Sequence, residues 1–267
     1  MEAKSKANIK VRYTTPALEK GLDILELFAS TSVEMTKSEV ARRLGRTVSE
    51  VFRMLVCLEQ RGYISRSHDE ERFRLTLKLF KLAQEHPPEK RLIAEALPIM
   101  HQITHKLNQS CHLGVLDGGQ VVILAQVTAP TNSGWYVKAG STVDLMQAST
   151  GHVILAHQRP EICDRAIQEW QRDTKAKIPL DLQTHLAKIR QQGFEERVSY
   201  QVRGVINVSF PILDDQGYAM AAITVPFFKR TRDPISTKDV RVQLRQGSQQ
   251  ISEAVGGLGA TPLKSDR

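Results

Sequence analysis

The chain has 267 residues, of which 41% are hydrophobic and 25% are charged, and its formal net charge is +8. This length allows two domains with separate cores, and the apolar content excludes an intrinsically disordered protein. No run approaches the roughly 18 apolar residues of a membrane span. The first ten residues, MEAKSKANIK, lack the apolar core of a signal peptide, so we expect a cytoplasmic protein without membrane contact.

The cysteines indicate neither a disulfide framework nor a zinc motif. Cys57, Cys111 and Cys163 are odd in number and widely separated, with no CxxC pair among them. We expect three structural thiols.

The N-terminal segment has the pattern of three helices. A first helix is predicted from Pro16 to Ala29, with an apolar stripe of Leu18, Leu22, Leu25 and Phe28. The tetrapeptides 36–39 (TKSE) and 47–50 (TVSE) are both capping boxes, in which a threonine and a glutamate satisfy each other's backbone N–H groups. They predict a short helix from about Lys37, ended by Gly45, and a longer helix that buries Val51, Leu55 and Leu58.

A short helix, a glycine-containing turn and a longer helix form the pattern of a helix-turn-helix. The segments 63–66 and 72–75 then predict two short strands of a wing around the acidic turn 67–71, whose tip we expect to stay off DNA. The first turns of the second helix of such a pair reach base edges in the major groove, and the wing strands can contact phosphate. The predicted DNA-binding residues are Arg42, Arg46, Thr47, Ser49, Glu50, Arg53, Arg66 and Arg72. The alternative is a small helical bundle with a solvated charged face.

The remainder of the chain predicts an α+β domain with an antiparallel sheet. Residues 75–83 resemble a linker helix that should stop at Pro87-Pro88, and a helix follows in which Pro98 marks a kink or the true start. Two hairpins are predicted around Asp117-Gly118-Gly119 and around residues 214–217. Further helices are predicted at about 148–157, 161–171, 180–192 and 237–255.

No nucleotide loop, GxSxG elbow or HExxH motif occurs, so we expect neither an enzyme nor a cofactor. His101 and His105 have a spacing that can present two imidazoles to a metal, with His112 nearby, but without a carboxylate or thiolate at fixed spacing exposed helix histidines are the favoured explanation and no metal is expected. The only adjacent nucleophile and base are Cys111 and His112. Neighbours on a strand point to opposite faces, which argues against their cooperation in an enzyme.

The start of the helix near residue 148 is a candidate ligand site. Ala148, Ser149, Thr150 and Gly151 could hold a carboxylate through backbone N–H groups and two hydroxyls, where a residue without Cβ permits close approach. The alternative is ordinary capping of the helix by Ser149 or Thr150.

Five segments together resemble the IclR family of bacterial transcriptional regulators. They are ALEKGLDILELF, SEVARRLGRTVSEVFRMLVCLEQRGYI, FRLTLKLFKLA, QASTGHVILA and GVINVSFPILDDQGYAMAAITVP. The resemblance implies a winged helix-turn-helix DNA-binding domain at 14–76, a linker helix at 77–92, and an effector-binding and oligomerisation domain at 93–258 related in architecture to GAF and PAS sensors. Where the family usually has Pro-Leu-His-Ala-Thr-Ala before a Gly-Lys, this chain has DLMQASTGH at 144–152.

The resemblance also implies effector contacts near residue 148 and elsewhere in the sensor domain. The residues it adds to Ala148, Ser149, Thr150 and Gly151 are Met146, Arg197, Asn207, Thr224 and Pro226. Arg197 could pair bidentately with an acid ligand, or it could be a solvated loop arginine.

These observations predict a homodimeric or homotetrameric regulator that binds a palindromic double-stranded DNA operator and responds to a small-molecule effector, expected to be a carboxylate. The alternatives are a DNA-binding regulator whose C-terminal domain only oligomerises, or an enzyme that processes a metabolite.

Overall fold

The computed structural model describes residues 15–31, 33–67, 71–84, 87–132, 134–231 and 234–257. The chain divides into two compact units, Met1–His86 and Pro87–Arg267. No helix in these described ranges is both long enough and apolar enough to cross a membrane.

The first unit is a winged helix-turn-helix. Its elements are α1 (Pro16–Ala29), β1 (Met35–Thr36), α2 (Lys37–Arg43), α3 (Val48–Gln60), β2 (Ile64–Arg66), β3 (Arg72–Leu75) and α4 (Lys78–Gln84). The three strands form an antiparallel sheet in the order β1-β3-β2. The wing hairpin is therefore confirmed, and its centre, residues 68–70, lies outside the described residues.

The predicted capping boxes are confirmed at both helices of the motif. Thr36 caps α2 and Thr47 caps α3, each with a reciprocal bond from its glutamate. Gly45 ends α2 with a φ of +62°, a conformation that costs little only for glycine. The stripe Val51, Leu55 and Leu58 is buried as expected.

The predicted core stripe of α1 is partly wrong. Ile24 and Phe28 are buried, whereas Leu18 and Leu22 are exposed. Helical periodicity identifies an apolar face, but only the tertiary structure shows whether a neighbour covers it, and in this unit α1 packs on α3 and β3 mainly through its second half.

The second unit is an α+β domain. Its elements are α5 (Pro87–Leu107), β4 (Cys111–Asp117), β5 (Gln120–Val127), β6 (Thr142–Asp144), α6 (Ser149–His157), α7 (Pro160–Thr174), α8 (Leu182–Gln192), β7 (Glu195–Val198), β8 (Val205–Leu213), β9 (Ala219–Phe228) and α9 (Thr237–Ala254). The six strands form an antiparallel sheet in the order β6-β5-β4-β9-β8-β7.

Helices cover both faces of this sheet. One apolar core joins α5 and α9 to alternate strand residues such as Val208, Phe210 and Ile223. A second core joins α6, α7 and α8 to the sheet. Both predicted hairpins and the four predicted later helices are confirmed to within a few residues. The pattern did not predict β1, β6 and β7, which have only two to four residues.

The range expected to be one linker helix contains α4 and the start of α5. Pro87 begins α5 rather than only ending a preceding helix, and Pro98 lies inside α5 instead of marking its start. Proline is tolerated in a first turn because that N–H has no helical partner.

The expectation of three structural thiols is wrong for one of them. Cys111 and Cys163 are buried, whereas Cys57 is exposed, and all three are free.

Candidate DNA-binding surface and effector site

Helix α3 presents an open face opposite its buried stripe. Ser49 and Arg53 are exposed on its first turns, as is Arg42 at the end of α2 and Arg66 on the wing. Across the described residues, the side chains of these four form no hydrogen bond or ion pair. Three arginines are thus available to an anionic partner.

Glu50 and Thr47 have structural roles at the start of α3. The Glu50 carboxylate accepts from the Thr47 N–H and hydroxyl at 3.1 and 2.8 Å, and from Lys20 Nζ of α1 at 2.6 Å. The pKa of Glu50 is lowered to about 2, first by the hydrogen bond from Lys20 and then by those from Thr47. Glu50 is therefore ionised, and the Lys20 ammonium balances its charge. It both caps α3 and connects α3 to α1.

Two of the arginines predicted to bind DNA are turned towards their own unit. Arg46 Nη2 lies 2.5 Å from Asp23 Oδ2 of α1, and its Nε is buried. Arg72 Nη1 donates to the Glu34 carbonyl at 3.2 Å and to Glu39 Oε2 at 3.3 Å. Both side chains tie surface elements together, and their contact with DNA stays a prediction.

Sequence reasoning missed two apolar side chains on the same face of α3. Val48 is 41% exposed and Phe52 is 43% exposed. Phe52 stands beside Lys37, whose Nζ is 5.8 Å from the ring centroid. Apolar residues one helical turn apart look like core positions in a sequence, and only their lack of cover reveals them as surface groups.

In the second unit, a row of polar side chains crosses the sheet beneath α6. Strand register places Glu195 beside Ser209, Ser209 beside Thr224 and Thr224 beside His112. All four are buried, and the Ser209 and Thr224 hydroxyls are 2.7 Å apart.

The hydroxyls at the start of α6 belong to this buried row. Ser149 Oγ is 2.7 Å from Ser209 Oγ, and Thr150 Oγ1 is 2.9 Å from Thr224 Oγ1. The N-cap of α6 is Ala148, which makes no side-chain cap, so the alternative that Ser149 or Thr150 caps the helix is wrong. The two hydroxyls hold α6 on the sheet.

Gly151 serves helix packing in this structure. A Cβ built on it would lie 2.4 Å from the Leu145 carbonyl oxygen. The packing of the chain itself therefore requires a glycine here. This explains Gly151 without a ligand, and a role in making room for a ligand stays a prediction.

Of the remaining predicted effector residues, Arg197, Asn207 and Pro226 lie on the neighbouring row of the sheet, and Met146 lies between β6 and α6. Arg197 pairs in register with Asn207, and Asn207 with Pro226. Arg197 and Met146 also line a cavity of about 210 Å³ together with Asp181, His185, Glu195 and Glu196. Ala148, Ser149, Thr150, Gly151, Asn207, Thr224 and Pro226 do not line this cavity.

His152 is the functional candidate that the sequence did not reveal. It is buried, and its Nε2 lies 2.8 Å from the Met146 carbonyl oxygen. Its Nδ1 lies 2.7 Å from Arg197 Nη1 and 3.2 Å from Glu195 Oε1. His185 Nε2 reaches the same Glu195 oxygen at 2.8 Å. The only sequence signal for His152 is that a histidine follows Gly151.

The pair proposed for an enzymatic alternative is poorly suited to catalysis. Burial raises the pKa of the Cys111 thiol and lowers the pKa of His112 to about 4. A buried neutral thiol is a weak nucleophile. His101 and His105 are exposed on α5, and the described residues place no third donor group beside them.

Comparison with known proteins agrees with this architecture. The model of the IclR helix-turn-helix domain matches residues 17–68, and that of the bacterial transcriptional regulator IclR C-terminal domain matches residues 88–253. The regulator BhcR of Paracoccus denitrificans is 28% identical over 213 residues, which are 78% of this chain and 76% of BhcR. The regulator KdgR of Dickeya chrysanthemi is 26% identical over 84% of this chain and 74% of its own length.

Solved structures share the fold. An IclR homologue of Microbacterium hydrocarbonoxydans, crystallised with 4-hydroxybenzoate, superposes with a TM-score of 0.71 at 21% identity over 90% of this chain and 98% of that one. The IclR protein of Thermotoga maritima has a TM-score of 0.67 at 22% identity over the same shares. Because the C-terminal family model alone matches more than half of the residues, this chain belongs to the IclR family of bacterial transcriptional regulators, which are DNA-binding proteins and not enzymes.

Proposed function

We propose that this regulator binds a palindromic operator as a homo-oligomer and that a small organic acid in its C-terminal unit changes its DNA affinity. The observation that carries the DNA-binding part is the open face of α3, where Arg53 and Ser49 stand free beside Val48 and Phe52. An arginine can bond to a guanine edge and apolar groups can contact a thymine methyl. The three-part organisation at 14–76, 77–92 and 93–258 is part of the proposal.

The test of this surface begins with duplexes selected from a random pool by the wild-type protein. Arg53→Ala should weaken binding to them by about 1 to 3 kcal/mol if Arg53 contacts a base, or flatten the salt dependence by about one unit if it contacts phosphate. Arg61→Ala is the matched control, because it removes the same charge from the exposed far end of α3. Equal affinity and salt dependence for Arg53→Ala and wild type would remove Arg53 from the interface.

Oligomer formation is supported by apolar side chains left uncovered in the first unit. Leu77, Phe80 and Leu82 are exposed on and next to α4, and Leu18 and Leu22 are exposed on α1. Apolar groups concentrated in this way usually mark an interaction surface. Two copies would place two α3 helices in successive major grooves. A monomer in sedimentation at micromolar concentration that still bound one half-site specifically would contradict this part.

The effector part is supported by the cavity beside Arg197. Its volume of about 210 Å³ suits a small molecule, and the structural relative from Microbacterium was crystallised with the carboxylate 4-hydroxybenzoate. We expect small organic acids to raise the melting temperature of the protein, because a ligand that binds only the folded state stabilises it. Arg197→Gln should lose the increase, whereas Arg203→Gln on the neighbouring exposed turn should keep it. If no acid shifts the melting temperature or the DNA affinity, the C-terminal unit acts in oligomerisation alone.

A further inference from the structure

Three groups that bind transition metals meet at the wall of the cavity beside Arg197. His152 comes from α6, His185 from α8 and Glu195 from β7, and their donor atoms all lie within 4.8 Å of one another. A zinc ion bound at about 2.0 Å in tetrahedral geometry sets its ligand atoms roughly 3.3 Å apart. The distances of 3.2 Å from His152 Nδ1 and 2.8 Å from His185 Nε2 to Glu195 Oε1 are close to that separation.

A backbone carbonyl fixes the tautomer and the orientation of the His152 ring, as in many metal-binding histidines. Its Nε2 is 2.8 Å from the Met146 carbonyl oxygen, which can only accept a hydrogen bond, so Nε2 carries the hydrogen and donates. The Nδ1 lone pair then points to Glu195 and His185. A backbone carbonyl that fixes the second ring nitrogen in this way is the usual outer partner of a histidine ligand.

The contacts of His152 Nδ1 place two acceptors side by side, next to the Arg197 guanidinium. Arg197 Nη1, at 2.7 Å, is a donor, so Nδ1 accepts. Nδ1 and Glu195 Oε1 are then two acceptors 3.2 Å apart. Arg197 compensates this incompletely, because it remains 3.5 Å from Oε1 and its side chain is 39% exposed at the rim. A metal ion between the two acceptors would satisfy both.

Glu195 supplies an independent indication. Its side chain is only 4% exposed, and its Oε2 has no hydrogen-bond partner among the residues that the structure describes. A buried carboxylate oxygen without a partner is costly, and coordination to a cation would remove that cost. The rest of the cavity wall adds the Asp181 carboxylate, whereas the Glu196 carboxylate pairs with Arg241 at 3.5 Å.

We propose that the protein binds one divalent transition-metal ion of the zinc class through His152 Nδ1, His185 Nε2 and the Glu195 carboxylate. Two imidazoles and a carboxylate suit such an ion, and three protein ligands leave a coordination position open to the cavity. This step rests on the proposed function. The open coordination position would take one carboxylate oxygen of the effector, and Arg197 would move to pair with the second oxygen of that carboxylate. The ion would thereby offset the carboxylate charge of Glu195 and add a second cation beside Arg197 for an organic acid.

The test uses the full-length protein freed of metal by chelation and titrated with Co²⁺ and then Zn²⁺ alone, without DNA or effector. We expect one Co²⁺ per chain with the intense visible absorption of a four- or five-coordinate site, displaced by Zn²⁺. His185→Ala removes a half-exposed ligand and should weaken binding at least about 10-fold, and Glu195→Gln should do the same in a side chain of equal shape. Tryptophan fluorescence confirms that each variant is folded.

The matched control is the double variant His101→Ala with His105→Ala, which removes the helix-spaced pair from α5. It should bind metal as the wild type does. The proposal is overturned if the wild type holds no ion, if His185→Ala and Glu195→Gln bind as tightly as the wild type, or if the α5 control loses the ion instead. Because the titration contains only metal, its failure is distinguishable from a failure of operator binding or of the response to organic acids.

Discussion

The buried imidazole of His112 should make the second unit sensitive to mild acid. Burial lowers the pKa of His112 from its ordinary 6.5 to about 4, so the folded chain keeps the ring neutral where the unfolded chain protonates it. Between these values the unfolded state binds more protons, and the free energy of unfolding therefore falls as the pH falls. The contribution is complete above pH 6.5 and lost by about pH 4.

The size of the effect follows from the shift. A difference of about 2.5 in pKa, at about 1.36 kcal/mol for each pKa unit, corresponds to about 3 kcal/mol. The structure explains the shift: within the described part of the chain, Nδ1 is buried without a partner and Nε2 faces only the Thr150 hydroxyl at 3.4 Å. His157 contributes in the same direction, because burial also lowers its pKa.

The assay is urea denaturation followed by tryptophan fluorescence at a series of pH values. Trp135 and Trp170 are the only two tryptophans of the chain, and both lie in the second unit, so the signal reports on that unit alone. His112→Gln keeps a polar group facing Thr150 but cannot titrate in this range. Its stability should depend on pH less steeply than that of the wild type between pH 6.5 and 4, by up to the same 3 kcal/mol.

His101→Gln is the control, because His101 is exposed on α5 of the same unit. It should show the wild-type dependence on pH. If His112→Gln also follows the wild-type curve, His112 does not remain neutral in the folded state, and the reasoning from its burial is refuted.

Three further substitutions test the packing of the two sites. Gly151→Ala places a Cβ 2.4 Å from the Leu145 carbonyl oxygen and should cost at least about 1 to 3 kcal/mol in the same fluorescence assay; unchanged stability would show that α6 does not pack as described. Thr47→Ala removes the α3 cap and should cost about 1 kcal/mol, measured as faster hydrogen exchange of α3 amides, whereas the exposed Ser38→Ala should leave them unchanged. Leu55→Ala, at a fully buried position, should cost about 2 to 5 kcal/mol by the same exchange, and a loss no larger than that of the exposed Phe52→Ala would contradict the assigned core.

Local sequence rules were sufficient for most of the secondary structure. The capping boxes at Thr36 and Thr47 depend on residues three apart, and the hairpin at Gly118-Gly119 depends on adjacent ones. Such interactions form within one or two turns of chain, so their pattern is legible without knowledge of the fold. The same holds for the apolar stripe of α3. The family resemblance was based on five segments that contain many of these elements.

The direction of polar side chains was decided by the tertiary structure. Arg46 and Arg53 look equivalent in the sequence, yet Arg46 pairs with Asp23 of another helix while Arg53 stays free. Leu18 belongs to the apolar stripe of α1, yet the described residues of its own unit leave it exposed. Whether a group meets a partner or solvent depends on elements distant in the chain, and no local spacing contains that information.

The cluster at the cavity is the clearest case. His152 lies 43 residues before Glu195, and His185 lies 10 residues before it. No sequence motif links the three. They meet because β7 pairs at the edge of the sheet while α6 and α8 pack together beside it. The sequence by itself determined most of the helices and both hairpins of the second unit. Long-range packing alone determined which donors and charges face one another, because those contacts arise only once the sheet and its helices have assembled.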